Sequence, residues 1–371
     1  MDLTTKKETV MPAPTKAMDL QTPRAEHGWY APLGTLTQDR GPAHEERTPG
    51  YRVALPWEDF AEAWSQAENR LACLEHDLAT HALRPYWICR ADFTEAAALA
   101  SLRGTPIALE DLVMADAGLT PRKQTAAWFV GKALLSLRRH ISRAGPAKVL
   151  TVDGILELEI RLASALATAG TADGETAAPE ARRQRVARWL GVVEELRSTP
   201  PLPAAAIALR VWRRIAPLAS HNDEIGLLLS STLLWHWGKT KGLTACPVAG
   251  LQAAGLATVS RDLDDRATLG SWIALFCRAV EAAAAAGQES LETMTQGRAR
   301  AARLLKGHRP NSRLPRLITL FLTYPVMTAR FINQRLNLTA QGTDWLIKEL
   351  TKNNMVVETT GRAKNRAYRL T

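Results

Sequence analysis

Two groups of residues in this 371-residue chain could do chemistry. The first lies near the C-terminal end. There Thr339, Gln341, Thr343 and Lys348, then Arg362, Lys364 and Arg366, mix amide, hydroxyl and cationic side chains within a short span. Such side chains reach base edges and neutralise phosphates, so the chemistry is recognition of a polyanion. The second group is mid-chain, where His221, Asp223 and Glu224, with His236 further on, supply the nitrogen and oxygen atoms that metal binding or acid–base catalysis needs. A polar loop between helices accounts for the same letters, and no partner stands near to orient a ligating histidine. No metal and no cofactor are expected.

Charge separates the two groups. From Arg303 to Thr371 there are 13 Lys+Arg and 3 Asp+Glu, whereas the 34 basic and 34 acidic residues elsewhere cancel. The net +10 therefore belongs to one small module, the footprint of a protein that displaces counterions from nucleic acid, and the expected partner is double-stranded DNA. The clusters Arg138, Arg139 and Arg143, Arg182, Arg183, Arg185 and Arg188, and Arg210, Arg213 and Arg214 lie in the neutral part and are expected to be solvated helix faces. No G-x-x-x-x-G-K, G-x-S-x-G or H-E-x-x-H string occurs, so nucleotide hydrolysis, serine chemistry and zinc proteolysis lack a motif.

Cys73, Cys89, Cys246 and Cys277 form no C-x-x-C pair, which argues against a disulfide framework or structural zinc and for a reducing cytoplasm. The first thirty residues hold no apolar signal segment. The longest apolar run, Ile225 to Trp237, is broken by Ser230, Ser231 and Thr232, so a soluble protein with no membrane partner is expected.

These residues need a scaffold, and apolar spacing predicts a mainly α one. Residues 1–50 are rich in threonine, charge and proline (Pro12, Pro14, Pro23, Pro32, Pro42 and Pro49) and are expected to be disordered; MDL occurs at Met1 and again at Met18, so translation could start at either. Residues 51–305 are expected to form one helical domain. Phe60, Trp64, Ala67, Leu71, Leu74 and Leu78 recur at three- and four-residue intervals and predict an amphipathic helix from Trp57. Further helices are predicted over 93–102, 121–144, 152–168, 181–198, 204–215, 225–237 and 268–305, with a flexible loop at 168–180 where turn formers replace apolar periodicity. In the last of these, Trp272, Phe276, Ala279 and Ala283 mark one face.

Residues 306–371 read as a winged helix-turn-helix with a small β-hairpin. Leu314, Leu317, Leu320 and Phe321 form the inner stripe of a first helix that ends at Pro325. A second runs over 328–336, capped by Thr328 and burying Ala329, Ile332 and Leu336, and Asn337-Leu338 make the turn. The third, capped by Thr339, is expected to bury Trp345, Leu346 and Leu350 and to present Gln341, Thr343, Asp344 and Lys348. Strands at 355–359 and 366–370 flank a turn holding Arg362 and Lys364. In this layout the third helix enters the major groove, placing Thr339, Gln341, Thr343 and Lys348 at base edges or nearby phosphates, while Arg362, Lys364 and Arg366 meet phosphates.

In the order of its elements the chain resembles Fic-domain proteins, a bacterial nucleotide-transfer family often carrying a C-terminal winged helix. Residues 95–118, EAAALASLRGTPIALEDLVMADAG, are similar to the family's segment S-S-x-I-E-G-T followed by a leucine-rich helix. Residues 201–229 sit where the family has H-P-F-x-D-G-N-G-R-x-G-R-L-L, and residues 272–371 follow its closing helix and winged helix. The resemblance implies a Fic-like helical body, and the departures imply lost chemistry. Ala216 stands at the catalytic histidine, Ser220 at the metal-holding acid, and G-N-G-R becomes His221, Asn222, Asp223 and Glu224. Phosphate would lose glycine-opened N–H groups and an arginine, and would face acids instead. Pro217, Asn222 and Gly226 keep the pattern, Leu218 replaces Phe, and Leu227 replaces the second arginine. Arg103, before Gly104 and Thr105, stands where the family's inhibitory segment has the glutamate that restrains the arginine.

Catalyst and restraint thus depart together, and no enzyme activity is expected. The arrangement is also similar to a bacterial, often plasmid-borne family with a domain of unknown function followed by a helix-turn-helix. The expected function is DNA binding in the regulation of transcription or plasmid functions, by a homodimer whose inactive body serves dimerisation or ligand sensing. Two other readings stay open: a non-standard nucleotidyl transferase using His221 as base, and a protein-interaction module.

Overall fold

Apolar residues at helical spacing produce helices through most of the chain. The computed structural model describes residues 55–119, 124–167, 179–256, 267–306, 312–361 and 366–371. Residues 1–50, expected to be disordered, and most of the expected 168–180 loop lie outside these. In chain order α1 (Trp57–Ala79), α2 (Arg84–Leu102), α3 (Leu109–Asp116) and α4 (Ala126–Ala144) lead through the short turn α5 (Pro146–Val149) to α6 (Val152–Ala167) and α7 (Pro179–Glu195). After the 3-10 turn Leu196–Ser198 come α8 (Pro201–Ile215), α9 (Asn222–His236), α10 (Pro247–Ala253) and α11 (Leu269–Leu305). The terminal module is α12 (Leu314–Thr323), β1 (Met327–Thr328), α13 (Ala329–Leu336), α14 (Ala340–Lys352), β2 (Val356–Glu358) and β3 (Ala367–Leu370).

Helix α11 is the spine. Its buried side, including Trp272, Ile273, Phe276, Val280, Leu291 and Met294, packs along the stripe of α1 that buries Phe60, Ala67, Leu71, Leu74 and Leu78, and against α8 and α10. Trp272 Nε1 donates to the Ala206 carbonyl of α8 at 2.7 Å, and Trp87 Nε1 of α2 donates to the Gly287 carbonyl at 2.8 Å. By length and composition α11 could cross a bilayer, a candidate that the apolar run at 225–237 does not include. However, 61% of its apolar window is buried inside the fold, so that face is already covered by neighbouring helices. At Gly250 the backbone of α10 approaches so closely that a Cβ would lie 1.8 Å from the Ala279 oxygen.

Several helix starts differ from expectation. Helix α2 begins at Arg84, with proline in its first turn, rather than at 93, and α9 begins at Asn222 rather than at 225. Proline fits a helix start because its missing N–H has no partner there. The prolines of α8 act likewise, so it starts at Pro201.

Two of the arginines expected on solvated faces are internal. Arg138 is fully buried, with Nε 2.7 Å from Asp92 Oδ1 and Nη2 donating to the Leu243 carbonyl. Beside it, buried Glu95 accepts from the Val248 and Ala249 N–H groups at 3.2 and 2.8 Å, satisfying the first turn of α10. Arg210 donates to the Ala267 and Thr268 carbonyls at 2.6 and 3.0 Å and so pins the start of α11. Asp92 is far from Arg138 in sequence, and a charge count near zero cannot reveal such a pairing. Of the four cysteines, Cys246 and Cys277 are packing residues whose thiols burial pushes up to about 12, so they stay protonated.

Substituting Gly250→Ala forces α10 off α11 and should destabilise the protein by about 1–3 kcal/mol. Gly191→Ala, where an added Cβ meets nothing within 4 Å among the described residues, should stabilise by about 1 kcal/mol through helix propensity. Asp92→Ala leaves Arg138 buried without its counterion and should cost about 3–5 kcal/mol. Urea unfolding of the three variants checks these signs.

Candidate nucleic-acid interface and the pocket upstream

The terminal module forms because its caps and turns are locally specified. Thr328 Oγ1 accepts from Phe331 N–H at 3.2 Å and Thr339 Oγ1 from Gly342 N–H at 3.1 Å, starting α13 and α14. Between them Asn337 takes a left-handed φ of 51°, which asparagine tolerates better than most residues. The wing is a sheet of order β1-β3-β2, all antiparallel, with Val356 opposite Leu370 and Met327 opposite Tyr368. The two-residue β1 carries no alternating pattern and was not expected.

On α14 the buried residues are Thr343, Leu346, Ile347 and Leu350. This corrects two expectations. Thr343, expected outward at the DNA, is 1% exposed and its Oγ1 has no hydrogen-bond partner among the described residues, whereas Trp345, expected inward, is 58% exposed. The buried spacing 343, 346, 347, 350 is a regular helical stripe, and Trp345 falls outside it. The outward face therefore carries Gln341, Asp344, Trp345, Lys348 and Lys352. Lys348 pairs with Asp344 at 2.7 Å in solvent, a weak tether that a phosphate could replace. Thr339 is exposed, with its hydroxyl engaged as the cap. Arg366 lies 3.6 Å from Glu358 at the base of the wing. Arg362 and Lys364 lie outside the described residues.

The module sits on the body by its opposite parts. Arg90 of α2 donates to the Phe321 carbonyl at 3.1 Å, and the Phe93 and Tyr324 rings meet at 5.7 Å. Burial, with Arg369 nearby, pulls the Arg90 pKa down to about 10, which leaves it charged at neutral pH. Met114 Sδ of α3 accepts from Thr328 Oγ1 at 3.1 Å, Leu370 packs on Gly297 of α11, and Arg300 donates to the Thr371 carbonyl. The outward face of α14 stays open.

Upstream, the connection from α8 to α9 begins and ends in left-handed conformations, at Ala216 (φ 41°) and His221 (φ 60°). Asn222 staples it, accepting from Leu218 N–H at 3.0 Å and donating to the Leu218 carbonyl at 2.9 Å. Gly226 makes room for Trp212, whose ring a Cβ would meet at 2.4 Å. Asn222 and Gly226, which keep the family pattern, thus have packing roles here. Buried Glu159 of α6 accepts from the Ala219 and Ser220 N–H groups at 2.7 and 3.1 Å and pairs with Arg182 at 3.1 Å. A carboxylate already occupies these two donors of the loop.

Arg103, at the end of α2, reaches α9: its Nη1 lies 2.6 Å from Glu224 Oε1 and 2.9 Å from His221 Nδ1. A guanidinium only donates, so His221 Nδ1 accepts and its lone pair is engaged. The contact joins Arg103 and Glu224, the two positions at which the resemblance implies exchanged residue types. Ala216 is exposed and Ser220 half-buried; neither brings a titratable group to the loop. Helix α9 separates His221 from exposed His236 by about 20 Å at 1.5 Å per residue, so the two cannot share an ion. Under the Arg103–Glu224 pair lies a cavity of about 400 Å³ walled by Leu99, Leu209, Leu251, Trp272 and Phe276.

Residues 314–370 match the family described as an HTH DNA binding domain. Over 362 aligned residues the chain is 25% identical to the uncharacterized protein y4cF of Sinorhizobium fredii (strain NBRC 101917 / NGR234), covering 80% of this chain and 92% of that one. Among solved structures, a Fic family protein from Desulfovibrio desulfuricans G20 superposes with a TM-score of 0.51 at 14% identity, over 87% of this chain and 98% of the other. At that identity the likeness shows the fold alone. The chain is a DNA-binding protein that joins a Fic-like helical body to a C-terminal helix-turn-helix domain.

Proposed function

We propose that the protein regulates transcription or plasmid functions in the cytoplasm, binding DNA as a homodimer through α14 and the wing, and that its Fic-like body performs no nucleotide transfer. One observation carries the reading: with the cationic module docked on the body, the face of Gln341, Trp345, Lys348 and Lys352 remains open to solvent. A single helix in a groove reads few bases, and two copies at a fixed spacing multiply that specificity. Against transfer chemistry stand Ala216 in place of the base, the occupied His221 Nδ1, and the Glu159 carboxylate on the loop N–H groups.

Mapping the protein across its own replicon should yield discrete duplex sites. On such a site Gln341→Ala should lose about 1–3 kcal/mol of preference at one base pair. Lys348→Ala and Arg366→Ala should weaken all sequences alike and flatten the log–log salt dependence by about 0.9 for each phosphate no longer neutralised. Wild-type affinity in all three variants would sink the docking geometry. Incubation with labelled nucleoside triphosphates should leave the protein and its co-purifying partners unlabelled; label that disappears in His221→Ala would restore the transferase reading.

A further inference from the structure

The cavity beneath Arg103 has the size of a small-molecule site: about 400 Å³, against about 300–1,000 Å³ for pockets that enclose organic ligands. Its walls are aliphatic and aromatic, from Leu99, Leu209, Leu251, Leu275, Trp272 and Phe276. Two ion pairs cross the polar rim, Arg103 with Glu224 at 2.6 Å and Arg213 with Asp223 at 3.2 Å. Each cation there is matched by an acid. A charged ligand would have to displace one member of a pair and leave the other poorly compensated in a half-buried place. An uncharged ligand avoids that cost, and the guanidinium of Arg103 still offers N–H groups to an oxygen.

We infer that this cavity binds an uncharged, largely apolar small molecule carrying one hydrogen-bond-accepting oxygen, and that the DNA-binding module reads its occupancy. The second half rests on the proposed DNA-binding regulator. Helices that wall the cavity also seat the module. Helix α2 contributes Leu99 to the wall and Phe93 to the Tyr324 contact. Helix α11 contributes Trp272 and Leu275 at one end and Gly297, under Leu370, towards the other. From Arg103 the chain runs directly into α3, whose Met114 accepts the Thr328 hydroxyl that also caps α13. A ligand favouring one position of Arg103 therefore biases the seat of the helix-turn-helix, and DNA must bias ligand affinity by the same factor.

The test titrates the full chain with prodan, an uncharged naphthalene fluorophore with one ketone oxygen. Saturable, blue-shifted emission at one probe per chain is expected. Ala279→Phe, which fills the cavity, should weaken binding at least about tenfold. Leu227→Trp, on a partly exposed stretch of wall, should do the same if Ala279→Phe fails to fold. Saturating prodan should change affinity for a duplex of replicon sequence by about fivefold or more. The inference is overturned if the wild type shows no saturable binding, if both filled variants bind as it does, or if occupancy leaves DNA affinity unchanged. Failure of the probe-free protein to bind any duplex would instead sink the regulator reading, and the titration would still decide whether the cavity is a site.

Discussion

Burial of α11 against α1, α8 and α10 is the contact on which the other features depend. Its apolar side runs from Trp272 to Ala301, so the same helix lines the cavity near its start and carries the wing near its end. Apolar burial has no direction of its own, and the fixed points along the helix supply one. They are the Trp272 and Trp87 indole hydrogen bonds, the Arg210 contacts at the helix start, and the close approach at Gly250. Together these set rotation and register, without which neither the pocket nor the seat of the module would have a defined shape.

The loop between α8 and α9 is closed by contacts of its own residues. Asn222 closes it on Leu218, and Gly226 makes room for Trp212. At the start of α9 Glu224 holds Arg103, and Glu159 of α6 takes two of the N–H groups of the loop. Leaving those donors and charges unpaired in a partly buried place would cost more than the pairs themselves contribute.

At the other end, the module is docked by α12, β1 and the end of β3, and α14 is left outside. Arg90 and the Phe93–Tyr324 pair make that seat specific. Trp345 adds a large apolar surface to the outward face, next to an amide and two lysines, a composition suited to a groove lined with methyl groups and phosphates.

Much of this architecture is legible in the sequence. Apolar spacing locates α1, α11, α12 and the helices of the turn motif, Thr328 and Thr339 announce their caps, and the count of charges singles out the module. All of these depend on residues a few positions apart. Tertiary structure alone decided that Arg138 and Arg210 are internal, that Arg103 meets Glu224 and that Glu159 sits on the loop. Each of these follows from which helix covers which face, and packing across distant segments sets that; local propensity does not encode it.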